Sequence, residues 1–306
     1  MTVTTTKSVD LASRLVNGVL AIKPLADWAK SQARQRMINR AEKMGVPWRK
    51  QAQTLLSRDW DAEFNQVSNP DLIYPDYYCC SFHAYEKGNL SWQAAAEVEV
   101  AAYSVHSSIW PEAGVDGDPR LRRSYHQILQ AQLPEAPQSI VDLGCSVGMS
   151  TFALQDLYPT AQITGIDLSP YFLAIALYNS QNRSQPAPVW LNQAAESTGL
   201  PDNSVDLVSL CLICHELPQQ ATREIFQEAH RILRPGGHLA IMDMNPRSEH
   251  LAKMPPYVFT LLKSTEPYLD QYFSLDISQA MEQAGFSQPT ITPNSHRHHT
   301  IIAQRI

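Results

Sequence analysis

From about residue 138, short apolar runs alternate with helix-length segments, and this alternation limits the possible folds more than any other feature of the chain. Strands that alternate with helices form a parallel sheet with helices on both faces. Two further short runs, around Thr290–Thr292 and Thr300–Arg305, predict a closing hairpin. The sequence therefore predicts an α/β fold. Its first five strands are predicted at Ser139–Leu143, Gln162–Asp167, Pro188–Asn192, Val205–Ile213 and His238–Asp243.

The segments between these runs carry helix signals. Ser169 is suited to cap a helix whose first residue is Pro170, because a serine hydroxyl accepts an N–H of the first turn. A second helix is predicted over Thr222–Leu233, and it stops at Pro235-Gly236-Gly237. A third is predicted near Ile277–Ala284. Residues 246–275, between the fifth predicted strand and this third helix, are predicted to be an insertion.

The N-terminal third has a different character. Apolar residues recur every three or four positions from Leu25 to Met44, which predicts an amphipathic helix that ends at Gly45. Another helix is predicted over Ser91–Ser107. We expect a helical region over residues 1–125, acting as a substrate lid or accessory element, and a second domain over residues 126–306. The N-terminal region is rich in aromatic residues: Trp60, Phe64, Tyr74, Tyr77, Tyr78, Phe82, Tyr85 and Trp92.

The charge of the chain bears on its partners. The formal net charge is −6, which argues against a general nucleic-acid binder. Between residues 28 and 58, however, eight basic residues accompany a single acidic one, Glu42. This stretch is either the solvated face of an amphipathic helix or a peripheral membrane contact. The oligomeric state is not predicted.

Compartment signals are weak throughout the sequence. No apolar run is long enough to span a bilayer, and no secretory signal is recognisable, so we expect a cytoplasmic protein. The five cysteines are an odd number in a long chain, which favours reduced thiols over a disulfide framework.

The first predicted strand leads into a glycine-containing turn, from Asp142 to Gly148, and then into a helix. Gly144 and Gly148 let the backbone approach a ligand where a Cβ would collide. The following helix N-terminus offers unpaired N–H groups. Asp142 places negative charge where a cationic amino or sulfonium group can sit. Asp167, at the end of the second strand, can accept both hydroxyls of a ribose.

Other readings of these motifs stay open at this point. The turn matches the Gly-x-Ser-x-Gly elbow of α/β-hydrolases through Ser146, with Asp243 and His296 or His298 in the required order. It matches the nicotinamide loop G-x-G-x-x-G less well. Cys211 to His215 reads C-x-x-C-H, a haem-attachment pattern, but it lies at the end of a buried strand. The clusters Cys79, Cys80, His83 and His296, His298, His299 lack a full ligand set, so no metal is expected.

Five pieces of sequence, in order and at the right spacing, resemble the class I S-adenosylmethionine (SAM)-dependent methyltransferases, in particular the ubiquinone/menaquinone C-methyltransferase branch. The resemblance is close over residues 138–245, loose at the C-terminus, and absent from the N-terminal 130 residues. It implies a Rossmann-like doubly wound seven-stranded sheet with the last strand antiparallel and a helical N-terminal extension. The pieces are the Asp142–Gly148 turn, Gly165-Ile166-Asp167, residues 196–208, His215-Glu216-Leu217-Pro218 and residues 231–239.

The resemblance implies that SAM is the cofactor, and it implies a role for each site residue. Asp142 is oriented toward the amino group of SAM and Asp167 binds the ribose hydroxyls. Cys211 lines the methionine pocket. The middle glycine of the family loop is Ser146 here, and Ala194 stands where many relatives carry an aspartate for the adenine amino group. The remaining roles are wrapping of the methionine part by Gly144, Cys145, Ser146 and Gly148, and adenine contact by Leu168, Ala194 and Ala195.

His215 is the candidate general base, because it leaves the fourth strand at the rim where an acceptor arrives and because histidine titrates near neutral pH. A histidine satisfied by packing is the alternative. Aromatic residues of the insertion and of the N-terminal region predict a small apolar or aromatic acceptor, such as a phenol, a quinone or a lipid-like compound. A SAM-binding protein that methylates a protein partner or lacks catalysis, and an α/β-hydrolase using Ser146, are the other functions considered.

Overall fold

The computed structural model describes residues 23–83 and 85–306, and its centre is a seven-stranded sheet. The strand order is β3-β2-β1-β4-β5-β7-β6, and β7 runs antiparallel to both of its neighbours. The predicted α/β fold, Rossmann-like and doubly wound with an antiparallel last strand, is confirmed. The strands are β1 Ser139–Leu143, β2 Gln162–Asp167, β3 Val189–Asn192, β4 Val205–Cys211, β5 Leu233–Met244, β6 Thr290–Pro293 and β7 His298–Gln304.

The strand order reverses between β1 and β4. β1 pairs in parallel with β2 on one side and with β4 on the other, so Val141 lies opposite both Thr164 and Val208. In open α/β sheets the crevice beyond the carboxyl ends of the strands at such a reversal is the ligand site. The end of β1, where Asp142 lies, is therefore the expected ligand site.

The described N-terminal region begins with four α-helices: α1 Lys23–Lys43, α2 Trp48–Leu56, α3 Asp61–Val67 and α4 Trp92–His106. α1 is followed by Gly45 with φ +84°, as predicted, and α4 is capped by the Ser91 hydroxyl, which accepts the N–H of Ala94. Trp48 is buried among α1, α2 and α4 residues. No helix in the described ranges is both long and apolar enough to cross a bilayer.

The sheet is covered on both faces by helices of the second part: α5 Gly117–Gln132, α6 Met149–Leu157, α7 Pro170–Gln181 and α8 Gln219–Ile232. Alternate side chains of β1 enter different cores. Ile140 packs with Leu121 and Leu129 of α5, whereas Val141 packs with Phe226 of α8. α5 runs without interruption across the predicted boundary at residues 125/126, and that division remains a prediction.

The insertion between β5 and β6 folds as α9 Glu249–Ala252, α10 Pro256–Lys263 and α11 Leu269–Ser274, followed by α12 Ile277–Gln283. Tyr272 of α11 is buried, and its hydroxyl donates to the carbonyl of Met244 at the end of β5 (2.7 Å). The insertion is therefore attached at the carboxyl edge of the sheet, beside the strand reversal.

Candidate active site

The turn after β1 has the backbone that its glycines allow. Gly144, Ser146 and Gly148 all have positive φ, at +69°, +52° and +88°. The N–H of Gly144 donates to the carbonyl of Ile166 (2.8 Å), which ties the turn to β2. A Cβ on Gly144 would lie 2.7 Å from the Ile213 side chain. The turn after β1 and the loop after β4 are therefore in direct contact.

Asp142 is completely buried at the end of β1. Its Oδ2 accepts hydrogen bonds from the hydroxyls of Ser150 and Thr151, both at 2.6 Å, from the first turn of α6. Its Oδ1 has no hydrogen-bond partner within the described part of the chain. Burial raises the pKa of Asp142 to about 6, against the lowering effect of the two hydroxyls and of Arg122. The free oxygen is a buried acceptor that a ligand's ammonium group would satisfy.

Asp167 lies at the end of β2 and joins the first turn to the N-terminal region. Its Oδ2 accepts the N–H of Ser146 and its Oδ1 the N–H of Ser169, both at 2.8 Å. The hydroxyl of Tyr78 also donates to Oδ1, at a longer 3.3 Å. Burial raises the pKa of Asp167 to about 6 although the two N–H groups oppose the shift. The proposed ribose acceptor is thus in contact with a residue outside the sheet domain.

The predicted adenine residues follow the ends of β2 and β3. Leu168 is buried, and its carbonyl accepts the Asn192 amide (2.8 Å). Ala194 forms an isolated bridge with Ser197, and Ala195 packs half-buried against the core. Their roles toward adenine remain predictions.

Arg122 of α5 contacts a predicted site residue, and the sequence did not single it out. Its Nε donates to Asp118 (2.9 Å) and its Nη1 reaches the Sγ of Cys211 (3.4 Å), the predicted methionine-pocket residue. Burial disfavours the guanidinium, but Asp118 more than compensates and raises its pKa. The i, i+4 spacing of Asp118 and Arg122 was visible in the sequence, but where the pair points depends on how α5 packs.

His215 follows β4 in a short 3-10 turn, Cys214–Glu216. Its Nδ1 lies 2.6 Å from Asp243 Oδ1 at the end of β5, and its backbone N–H donates to the same carboxylate. Burial opposes the charged imidazole, but Asp243 outweighs it and raises the pKa of His215 to about 10. The Tyr272 ring of the insertion lies beside it, with ring centroids 6.5 Å apart.

The hydrolase constellation is not assembled, and that alternative was wrong. Asp243 is hydrogen-bonded to His215, not to His296 or His298. The Ser146 hydroxyl has no hydrogen-bond partner among the described residues, so no histidine activates it. A nucleophilic serine needs a base within hydrogen-bond reach.

Comparison with known proteins agrees with this geometry. A family model described as "Methyltransferase domain" matches residues 141–241. An uncharacterized methyltransferase of Synechocystis sp. is 30% identical over 164 residues, which is 53% of this chain and 74% of that protein. The chain belongs to the SAM-dependent methyltransferases. SAM is its cofactor.

Two further similarities have a narrower meaning. A trans-aconitate 2-methyltransferase of Azoarcus sp. is 35% identical over 124 residues, 40% of this chain and 46% of that protein. The crystal structure of a SAM-dependent methyltransferase from Aquifex aeolicus superposes with a TM-score of 0.50 at 19% identity, covering 65% of this chain and 98% of that one. The match to the Azoarcus enzyme covers under half of that enzyme's length. The superposition on the Aquifex structure shows a shared fold alone.

Proposed function

We propose that this methyltransferase transfers a methyl group to an oxygen atom of a small acceptor with an apolar or aromatic body, bound between His215 and the insertion. The observation that carries the proposal is the Asp243–His215 pair. His215 follows Ile213 by two residues, and the Ile213 side chain contacts the turn after β1. A polar group that can bind an acceptor oxygen thus adjoins the turn after β1.

The residues present fit the cofactor. Asp142 Oδ1 and Ser146 Oγ are buried and without hydrogen-bond partners in the described ranges, which suits a ligand with an ammonium group and a carboxylate. Asp142 would hold the amino group, Arg122 the carboxylate and Asp167 the ribose. Gly144, Cys145, Gly148 and Cys211 would line the methionine part. SAM supplies an activated methyl group on a sulfonium leaving group.

The protein's own contribution is alignment and handling of the acceptor proton. Alignment alone can contribute roughly 7–11 kcal/mol to lowering the barrier. Because Asp243 holds Nδ1 of His215, Nε2 is the ring atom that can meet the acceptor, with Glu216 Oε1 4.0 Å away. In its neutral form Nε2 takes the acceptor's proton, and in its protonated form it donates a hydrogen bond to an oxygen that is already ionised. The raised pKa of His215 favours the second role.

The insertion supports the apolar part of the proposal. Phe259 of α10 and Phe273 of α11 stack at 5.6 Å, and Phe273 adjoins Tyr272. Of these rings, Tyr272 lies beside His215, and Phe273 and Phe259 follow behind it. The trans-aconitate 2-methyltransferase of Azoarcus sp. is named for an acceptor that carries carboxylate oxygens, whereas the predicted quinone branch methylates carbon.

The test is calorimetric titration with SAM, followed by transfer from labelled SAM to panels of carboxylic acids, phenols and quinols. We expect SAM binding in the wild type and its loss in Asp167→Ala. We expect His215→Gln to bind SAM normally but to lose transfer. Wild-type binding without transfer to any oxygen acceptor, or transfer only to a protein, would contradict the proposal.

A further inference from the structure

Three side chains from distant parts of the chain come together outside the turn after β1. His83 comes from the N-terminal region, Glu216 from the 3-10 turn after β4, and Glu266 from the segment between α10 and α11. The Nε2 atom of His83 lies 2.9 Å from Glu266 Oε1 and 3.4 Å from Glu216 Oε1. One nitrogen and two oxygens therefore lie within 4.8 Å of one another.

The cluster is more than a surface ion pair. Glu266 is only 8% exposed, and its Oε2 has no hydrogen-bond partner in the described part of the chain. A buried carboxylate oxygen without a partner carries a large desolvation cost. A cation bound beside this oxygen would offset that desolvation cost.

The backbone also holds His83 in an uncommon arrangement. Its φ is +49°, a left-handed conformation that non-glycine residues rarely adopt. Its N–H donates to the carbonyl of Thr265 (3.1 Å), next to Glu266, and its ring packs edge-on against Phe82 with centroids 4.4 Å apart. The imidazole is thus fixed toward the two carboxylates.

The donor set and its surroundings match those of a metal site. An imidazole nitrogen and carboxylate oxygens bind Zn²⁺ at about 2.0–2.2 Å, so ligand atoms of one ion lie about 3–4 Å apart. The two distances from His83 Nε2, 2.9 and 3.4 Å, are close to that spacing. His215 Nε2 lies 4.0 Å from Glu216 Oε1, and its Nδ1 is held by Asp243. His215 is thus a polar neighbour of the three-residue cluster and not one of its ligands.

We propose that His83, Glu216 and Glu266 bind a divalent first-row transition-metal ion of the Zn²⁺ or Mn²⁺ type. Three protein ligands leave coordination positions open, and these positions lie next to His215, where oxygen atoms of an acceptor can enter. Sequence spacing predicted no metal because the three ligands are far apart in the chain and because His83 was grouped with Cys79 and Cys80. The metal site does not depend on which acceptor is methylated.

The experiment is calorimetric titration of the EDTA-treated and dialysed full-length protein with ZnCl₂ and MnCl₂, and with MgCl₂ for comparison. We expect about one equivalent of Zn²⁺ or Mn²⁺ to bind. The dissociation constant should rise at least roughly 10- to 100-fold in Glu266→Gln and in His83→Gln, since loss of an outer partner alone has that effect. Co²⁺ bound to the wild type should show visible d–d absorption that both variants lose.

The matched control is Glu249→Gln, an exposed glutamate of the same insertion that pairs with Lys253; its metal affinity should equal that of the wild type. SAM titration of each variant shows that it is folded and separates this proposal from the proposed function. The metal site is refuted if no transition-metal ion binds to a protein that binds SAM. It is also refuted if the affinity is the same in Glu266→Gln, His83→Gln and the wild type.

Discussion

Asp142 and Asp167 are buried carboxylates at the ends of neighbouring strands, and each has a pKa raised to about 6 by burial. Their environments differ in one respect. Asp167 has a partner on each oxygen, whereas Asp142 Oδ1 has none in the described ranges. Both residues were identified from the sequence because each lies at the end of a predicted strand, two residues from a glycine. Their ionisation state depends on the packing around them.

SAM affinity should fall as the pH drops through the pKa of these carboxylates. Above about pH 6 both are ionised and attract a cationic ligand, and below it both bind protons that SAM must displace. Between pH 7 and pH 5 the logarithm of the dissociation constant should therefore rise with a limiting slope of up to two per pH unit. Calorimetric titration in a buffer series measures it.

Asp142→Asn separates the two contributions. The variant should bind SAM more weakly at pH 7 and should retain a limiting slope of no more than one, because a single titrating carboxylate remains. Glu282→Gln, at a position on α12 away from the turn, serves as the control. A wild-type affinity that is constant over this pH range would contradict the interpretation of both aspartates.

At the scale of elements, the strands β1 and β2 have the predicted bounds because both are short buried runs with clear turns after them. β5 differs from the prediction. It starts at Leu233, and α8 stops one residue earlier than expected. Pro235-Gly236-Gly237 looked like a break, but the Gly237 carbonyl accepts the N–H of Arg305 (2.8 Å), so pairing with the C-terminal end extends the strand.

The N-terminal helices are joined to the sheet domain by an aromatic contact around Trp60. Its ring stacks on Trp92 of α4 and meets Tyr178 of α7 edge-on, both at 5.5 Å, and its Nε1 donates to the carbonyl of Leu55. Trp60→Ala should lower the free energy of unfolding by about 3–5 kcal/mol. Urea denaturation followed by circular dichroism measures the change.

Trp28→Ala is the matched control, because this tryptophan is 62% exposed. Its unfolding free energy should stay within about 0.5 kcal/mol of the wild type, as for most surface substitutions. Equal destabilisation by the two substitutions would mean that the aromatic contact does not hold the N-terminal helices in place.

At the scale of the whole molecule, the N-terminal region and the insertion both reach the carboxyl edge of the sheet. Tyr78 and Tyr77 contact Asp167 and Glu196, and Asn69 hydrogen-bonds to Asn192 of β3. The insertion reaches His215 from the other side. The role of the N-terminal region as a lid or accessory element remains a prediction.

Tyr78 occupies an oxygen of the proposed ribose acceptor, so SAM binding must displace its hydroxyl. Tyr78→Phe should therefore lower the dissociation constant of SAM by roughly two- to tenfold, the effect of one hydrogen bond of about 0.5–1.5 kcal/mol. Tyr257→Phe, a change at a half-exposed tyrosine of the insertion, should have no effect. A weaker affinity in Tyr78→Phe would show that the hydroxyl contributes to the bound state instead.

The basic stretch 28–58 forms α1, α2 and their flanks, and part of its charge is neutralised. Arg34 and Arg58 pair with Glu97 and Glu63, whereas Arg36, Arg40 and Lys43 are exposed at spacings that share a helix face. If this face meets a membrane, vesicles containing phosphatidylserine should co-sediment with the protein at low salt and release it at high salt.

The charge reversals Arg36→Glu and Arg40→Glu should abolish that binding, and Lys253→Glu in the insertion should not. Binding that is absent at low salt, or equal in all variants, would leave the solvated helix face as the explanation of the basic stretch.

The alternation of strands and helices, the glycine turn and the two strand-end aspartates could be predicted from the sequence alone. These features depend on local periodicity and on residues adjacent in the chain. Only the tertiary structure brought Arg122 to Cys211, Tyr78 to Asp167, and His83 to Glu216 and Glu266. Such contacts join segments far apart in sequence, and no local pattern records them because packing of whole elements decides which side chains meet.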